Sequence, residues 1–355
     1  MRAIRRYLQL ALGAWLALQS SAWASDYVDV LDLPAKPSAL AVRSPLLDVA
    51  RAGDRLVTVG QRGHILYSDD DGQHWQQAQV PVSVDLNAVH FANPSLGWAA
   101  GNDGVILHSA DGGLTWRKQL DGRQIGALVH DHYSTLAAAE PENEEWAALA
   151  AEGERLIEQG ADKPFLDLWF ADARNGFAVG VFNLILATRD GGQTWLPLQD
   201  RSDNPMGLHL TALGYTGDAL YLVGEQGLLR RWDAAGQRFV AVDSPYAGTY
   251  FGVIGKPGEV LVYGLRGHVF RSRDGGQNWR ELDSGLQVSI TAAARDRAGR
   301  YQLFTQAGHR LQAEEGSALR LIPQQSQSPV AGATLSAADD LVLVGSRGVR
   351  SLSGE

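Results

Sequence analysis

The stretch Gly101-Asn102-Asp103-Gly104-Val105-Ile106-Leu107-His108-Ser109-Ala110-Asp111-Gly112-Gly113-Leu114-Thr115-Trp116 decides the fold. It opens on a Gly-x-x-Gly turn, runs through a short apolar strand and ends in an eight-residue box, Ser/Thr-x-Asp-x-Gly-x-x-Trp. The box occurs four times: Ser68, Asp70, Gly72 and Trp75; Ser109, Asp111, Gly113 and Trp116; Thr188, Asp190, Gly192 and Trp195; Ser272, Asp274, Gly276 and Trp279. The hydroxyl and carboxylate can accept from backbone N–H groups inside a turn, and the glycine accepts a positive φ. The tryptophan then falls on the next strand, where its ring can pack between sheets. The box therefore reads as a hairpin turn with an aromatic anchor. It lacks the twelve-residue ligand alternation and terminal Glu of a helix–loop–helix calcium loop, so no metal is assigned to it.

The turn recurs more often than the box. It starts at Gly60, Gly101, Gly180, Gly224, Gly264 and Gly345, with a degenerate copy at Thr305. Successive starts are 41, 79, 44, 40, 41 and 40 residues apart. A period near 40 residues matches a four-stranded propeller blade, and the long step is one period plus an insertion. Two blades have degenerate boxes: one around Asp233 and Gly236, with Phe239 replacing Trp, and one around Gln312 and Gly316. The fold class is all-β, a seven-bladed β-propeller. The seventh unit, from about Val330 to Glu355, has three strands, and the alternating segment Tyr27–Leu33 is expected to supply its fourth and close the ring.

With strands A to D running outward from the axis, the boxes are C–D turns on one face. The Gly-x-x-Gly segments are B–C turns on the other. The insertion, 122–163, links strand D of blade 2 to strand A of blade 3 and so shares the B–C face. It is expected to form two helices, Gln124–Ala139 and Asn143–Gln159, broken at Pro141, with Trp146, Leu149, Leu156 and Ile157 on one face of the second.

Residues 1–24 have the form of a signal peptide: Arg2, Arg5 and Arg6, an apolar stretch over Tyr7–Leu18, and a small-x-small site at Ala22-Trp23-Ala24. The expected mature chain, 25–355, is exported to a periplasm or equivalent lumen, and without any cysteine it is not a lipoprotein. The absence of cysteine also excludes disulfides and thiol chemistry. The formal net charge of −9 disfavours nucleic acid. His130 and His132 do not have a metal-ligand pattern, and no cofactor is expected.

Three B–C turns carry Arg at the same position: Arg62, Arg266 and Arg347. With Trp146 they form the expected partner-binding set. The run Asp162-Lys163-Pro164-Phe165-Leu166-Asp167-Leu168-Trp169-Phe170, the Gly-x-x-Gly-to-box blade and the sevenfold ring resemble the photosystem II assembly/stability-factor family over the whole mature chain. That resemblance implies a non-enzymatic protein that binds subunits of a membrane complex, or a transporter, from the periplasmic or lumenal side. It also implies that Arg62, Arg266 and Arg347 match the family's arginine patch. The alternative is a glycan-binding or sialidase/glucanase-like hydrolase propeller. Three arginines could mimic a sialidase triad, and Asp48, Asp85 and Asp167 are among the acids a two-carboxylate hydrolase could use.

Overall fold

In each of the four boxes the hydroxyl and carboxylate fold the turn onto itself. In the first, Ser68 Oγ donates to Asp70 Oδ1 at 2.8 Å and accepts from Gly72 N at 2.9 Å, while Asp70 Oδ1 accepts from His74 N at 2.9 Å. Gly72 has φ +86°, and Trp75 Nε1 donates to its carbonyl at 3.0 Å. The backbone N–H of His74, its ring and Ser68 hold the Asp70 carboxyl down at about 2. The box is thus a closed hydrogen-bonded unit, as the residue pattern requires.

The computed structural model describes residues 28–313, 318–324 and 326–352. These residues form seven antiparallel sheets, six of four strands and one of three, each with its strands in sequence order. The first strands of successive sheets contact one another and ring the axis. The chain is a seven-bladed β-propeller. The blades with degenerate boxes keep their strands, Leu220–Gly224 and Tyr301–Thr305 among them. Phe239 is fully buried against Phe177 and Trp232, taking the place of the missing Trp.

Each box packs on the preceding blade. Trp116 meets Phe91, and Gly113 lies against Val57 of blade 1. Trp195 meets Phe170, which stacks on Trp98 of blade 2. Around the axis the blades are also joined by hydrogen bonds. The innermost strands of blades 1 to 6 each carry a bulge at the same place, skipping Leu47, Asn87, Leu166, Thr211, Phe251 and Thr291. Asn87 Nδ2 donates to Phe165 O at 2.8 Å and Thr211 Oγ1 to Tyr250 O at 2.7 Å, each reaching the next blade. Thr291 Oγ1 donates likewise to Val330 O.

The insertion forms the expected hairpin. The first helix, Gly122–Ala139, starts in a capping box of Asp121 and Gln124, and the second, Glu144–Gln159, is capped by Asn143. Gly126 and Gly153 let the two backbones touch: a Cβ on Gly153 would lie 2.3 Å from His130 N. Ile125, Val129, Tyr133, Ala150 and Leu156 join the core of blades 2 and 3. Ile157, expected on the buried face, is 53% exposed.

The expected N-terminal closing strand is not formed. Val28–Leu33 is a turn held by Asp29, whose Oδ1 accepts from Leu31 N at 2.8 Å and whose carbonyl accepts from Asp32 N at 2.9 Å. Leu31, 2% exposed, is plugged into the core between blades 1 and 2. The following chain crosses the D–A connector of blade 1, with Ala35 N donating to Val80 O at 3.0 Å, and reaches the joint with blade 7 at Ala41–Arg43. Pro34 and Pro37 cannot donate to a ladder. The segment Val28–Leu33 serves as an anchored strap instead of a strand. The expected signal peptide lies outside the described residues, as does Tyr27.

Candidate functional site

Four turns of the B–C face share one unusual backbone, which the two-residue turn of Ser346 and Arg347 does not adopt. Arg62, Asp103, Gln226 and Arg266 all occupy the left-handed region, with φ between 51° and 58°. The turn holds these side chains away from the strands, and Arg62, Arg266 and Arg347 are all exposed. None of the three makes an ion pair among the described residues. Asp48 and Asp103, the local acids that could have neutralised them, do not pair with them. Arg62 and Arg347 stand on adjacent blades. Arg266 is separated from Arg347 by blade 6, whose equivalent turn offers Ala307.

The structure adds a residue that the repeat could not reveal. Arg43, exposed and without an ion pair among the described residues, ends the strap at the blade 7–blade 1 joint. A Cβ on Gly348 would lie 2.7 Å from Arg43 Cα, so Arg43 and the Arg347 turn are in contact distance.

The neighbouring part of the face, at blade 2, is acidic, and it reaches the Arg62 turn through Asp85. Asp103 has its carboxyl raised by burial and then by the nearby Asp29, Asp85 and Asp162. Beside it the strap is clipped to the insertion. Asp32 binds Arg123 through both oxygens at 2.7 and 2.9 Å and Lys118 at 3.2 Å. Asp121 binds Arg123 and Lys118 as well, at 2.6 and 2.8 Å. Burial pushes the Asp121 carboxyl up, but its two cations outweigh that and hold it at about 2. The clip joins strap, blade 2 and first helix in one charge network.

Trp146 is half-buried, stacked on Tyr133 at 6.0 Å with Nε1 donating to Glu140 Oε2 at 3.1 Å. Tyr133 is fully buried and donates to Asp200 Oδ1 at 2.8 Å, which ties the hairpin to the D–A connector of blade 3. Trp146 therefore lies within the hairpin's own packing and stands apart from the arginines. Between the second helix and blade 3 runs a groove of about 1030 Å³, floored by Leu149, Leu156 and Leu184.

The axis holds a narrower channel of about 200 Å³. Asp48 and Asp167 sit at equivalent positions of blades 1 and 3, where the other blades carry Ala88, Ala212, Gly252, Ala292 and Gly332. Each carboxylate bridges two blades. Asp48 accepts from Val49 N at 2.8 Å and from Val89 N of blade 2 at 2.9 Å. Asp167 accepts from Leu168 N at 2.8 Å and from Leu213 N of blade 4 at 2.7 Å. Both are half-buried, open to the channel but deep within the ring, and among the described residues no cation pairs with them. Burial raises Asp48 to about 6; burial, with repulsion from Asp48, raises Asp167 to about 7. Asp85, the third acid of the hydrolase alternative, lies outside the channel and accepts from Arg62 N at 2.9 Å.

Residues 31–131 and 142–312 match the family described as photosynthesis system II assembly factor YCF48. Among curated relatives, the photosystem II assembly protein Ycf48 of Synechococcus sp. (strain JA-3-3Ab) is 32% identical over 142 residues, 34% of this chain and 39% of that protein. The photosystem II assembly lipoprotein Ycf48 of Synechococcus sp. (strain CC9902) is 31% identical over 137 residues, 36% of this chain and 38% of that one. The matched region thus spans about two fifths of the length of these relatives. Among solved structures, YCF48 bound to D1 peptide superimposes with a TM-score of 0.64 at 15% identity, covering 88% of this chain and 95% of that one. The WD40 propeller domain of Doa1 follows with 0.61 at 11%, covering 91% and 96%. These likenesses carry the propeller fold.

Proposed function

Because this chain belongs to the photosystem II assembly factor YCF48 family, we propose that it is a non-enzymatic, exported scaffold that assists assembly or stability of a membrane protein complex or transporter. It binds its client on the B–C face, at the periplasmic or lumenal side, and needs no cofactor. One observation carries the reading: Arg43, Arg62 and Arg347 stand exposed and without ion pairs at one joint of a protein whose net charge is −9. Unneutralised guanidinium groups held out by fixed turns suit carboxylates of a protein partner. Arg266 flanks the set at a distance. The peptide-bound YCF48 structure supports a propeller of this kind taking a peptide ligand. Cleavage after Ala24, without a lipid anchor, belongs to the same proposal.

Co-purification of tagged mature protein from its native envelope, beside an Arg43/Arg62/Arg347→Ala variant, tests this. A membrane-protein partner lost in the variant is expected. A partner held equally by both would move the site to the insertion, and no partner at all would overturn the scaffold reading.

Glycan binding has one observation in its favour, a groove of about 740 Å³ between blades 3 and 4 with Trp169, Phe177, Tyr215 and Trp232 in its walls. It lies where blade 4 lacks a box Trp. A glycan array probed with the mature protein and a Trp169→Ala variant separates the two readings. Hydrolysis finds less support. Asp48 and Asp167 each use both oxygens to hold backbone N–H groups, which speaks for a structural role, and Arg266 stands away from the arginines it would join in a triad.

A further inference from the structure

Six blades have a fourth, outer strand, and blade 7 has none among the described residues. Its outermost strand, Gly348–Leu352, pairs inward with Leu341–Gly345. The register fixes which backbone groups face out. Gly345 and Gly348 close a two-residue turn, and the Val344 carbonyl turns inward to accept from Ala331 N at 2.8 Å. Antiparallel ladders alternate, so Val349 and Ser351, opposite Val344 and Val342, present N–H and C=O outward. No described strand meets them.

The open edge is flanked by charge at both ends. At the B–C end stand Arg347 and Arg43, the latter crossing directly over Gly348. At the other end lies the first box: a Cβ on Gly72 would be 3.2 Å from Ser351 Oγ, which puts Asp70 and Asp71 nearby. In all six complete blades the outer strand runs antiparallel to the third, from the box face to the B–C face. A strand added to blade 7 in the same sense starts beside carboxylates and ends beside guanidinium groups. A segment with an acidic C-terminal end matches that gradient, and the reverse orientation opposes it.

We infer that the open edge of blade 7 accepts an extended segment of the client as its fourth strand, with the segment's acidic C-terminal end against Arg43 and Arg347. The inference rests on the proposed arginine face and specifies how that face is used: main-chain hydrogen bonds to Val349 and Ser351 hold the segment, and the arginines set its direction.

The probe is a fluorescein-labelled decapeptide, Lys followed by alternating Thr and Val and ending in two Asp with a free carboxylate, compared with its reversed sequence by fluorescence polarisation. The forward peptide is expected to bind about tenfold more tightly than the reversed one, because only it pairs both charged ends. Ser351→Pro removes an outward N–H at an exposed edge position without touching the inner ladder, and is expected to weaken the forward peptide about tenfold with an unchanged unfolding midpoint. Arg43→Ala/Arg347→Ala is expected to shrink the directional preference to the part set by Asp70 and Asp71, a few-fold. Slowed amide exchange at Val349 and Ser351 on adding peptide gives the same answer without a variant. Loss of binding in the arginine variant with none in Ser351→Pro would overturn strand addition and leave the arginine face standing. No binding of either peptide would overturn the inference while co-purification still tests the face. Amides already protected without peptide, and released by deleting residues 1–27, would overturn it by giving the edge to the chain itself. Dimers dispersed by Ser351→Pro would give it to a second copy.

Discussion

The axial carboxylates make the stability of the ring depend on pH in a way that one substitution isolates. Asp167 is held at about 7 against an ordinary 3.8. Its folded-state proton is therefore bound more tightly than the unfolded one, so its contribution to stability is complete below pH 4 and is lost as pH rises through 7. Between pH 5 and its folded value it spans about two pH units, and at about 1.4 kcal/mol per unit the loss from pH 5 to pH 8 is about 3 kcal/mol. Asp48, held at about 6, loses about 1.4 kcal/mol over the same range. His90 works the other way. Burial lowers its ring to about 4, so it gains stability with rising pH and masks the carboxylates in a simple profile. Asp167→Asn separates the two. The amide cannot accept from both Leu168 and Leu213, which costs about 1–3 kcal/mol at every pH. That constant cancels when urea unfolding of variant and parent is compared at pH 5 and pH 8. The variant is expected to be the less stable at pH 5 and to gain about 3 kcal/mol on the parent by pH 8. A difference independent of pH would refute the reasoning and mean that channel water solvates Asp167 as well as bulk water does.

Trp195→Ala, emptying a site 4% exposed between blades 2 and 3, should cost about 3–5 kcal/mol and lower the melting temperature; a change below about 1 kcal/mol would show that the boxes do not hold blades together. Leu31→Ala should cost about 2–4 kcal/mol in the same assay, as expected of a buried plug and not of a frayed terminus. Tyr133→Phe removes the hydroxyl that donates to Asp200, so limited proteolysis should cut the 139–144 turn faster at a loss of about 1–2 kcal/mol in global stability. Arg123→Ala should release the strap without unfolding the blades, seen as faster amide exchange at Leu31 and Asp32.

The blades were legible because each box position answers a local demand of the backbone: a hydroxyl for Gly72 N, a carboxylate for His74 N, a glycine for a φ of +86°. The hairpin was legible because Asp121 and Asn143 are good caps and its apolar residues recur at helical spacing. The strap was misread because alternation over seven residues fits both a strand and a turn with one anchored Leu, and only the tertiary pocket for Leu31 chooses between them. Arg43 was invisible because the connector into blade 1 lies outside the repeat. Asp48 and Asp167 carried a signal that alignment of the repeats could have exposed, since every other blade has Ala or Gly at that position. The stacking of Trp146 on Tyr133 is not legible in the sequence, because an aromatic side chain on an amphipathic helix does not reveal which residue lies beneath it.

The joint between blades 7 and 1 also sets an order of assembly. Ala41, Leu46 and Leu56 share one cluster with Val342 and Val344, so residues about 300 apart in the chain must meet. Closing a flexible loop of that length costs roughly 5 kcal/mol, and no other joint in the ring asks for more than a fraction of that separation. The strap, blade 1 and blade 2 can associate early, since Leu31 and Asp32 reach only as far as Lys118 and Arg123. The last joint waits for the end of the sequence. A chain emerging from its N-terminus would therefore spend its folding time as an open arc, with the joint that carries the exposed arginines the last part of the molecule to be completed and the first to part under denaturant.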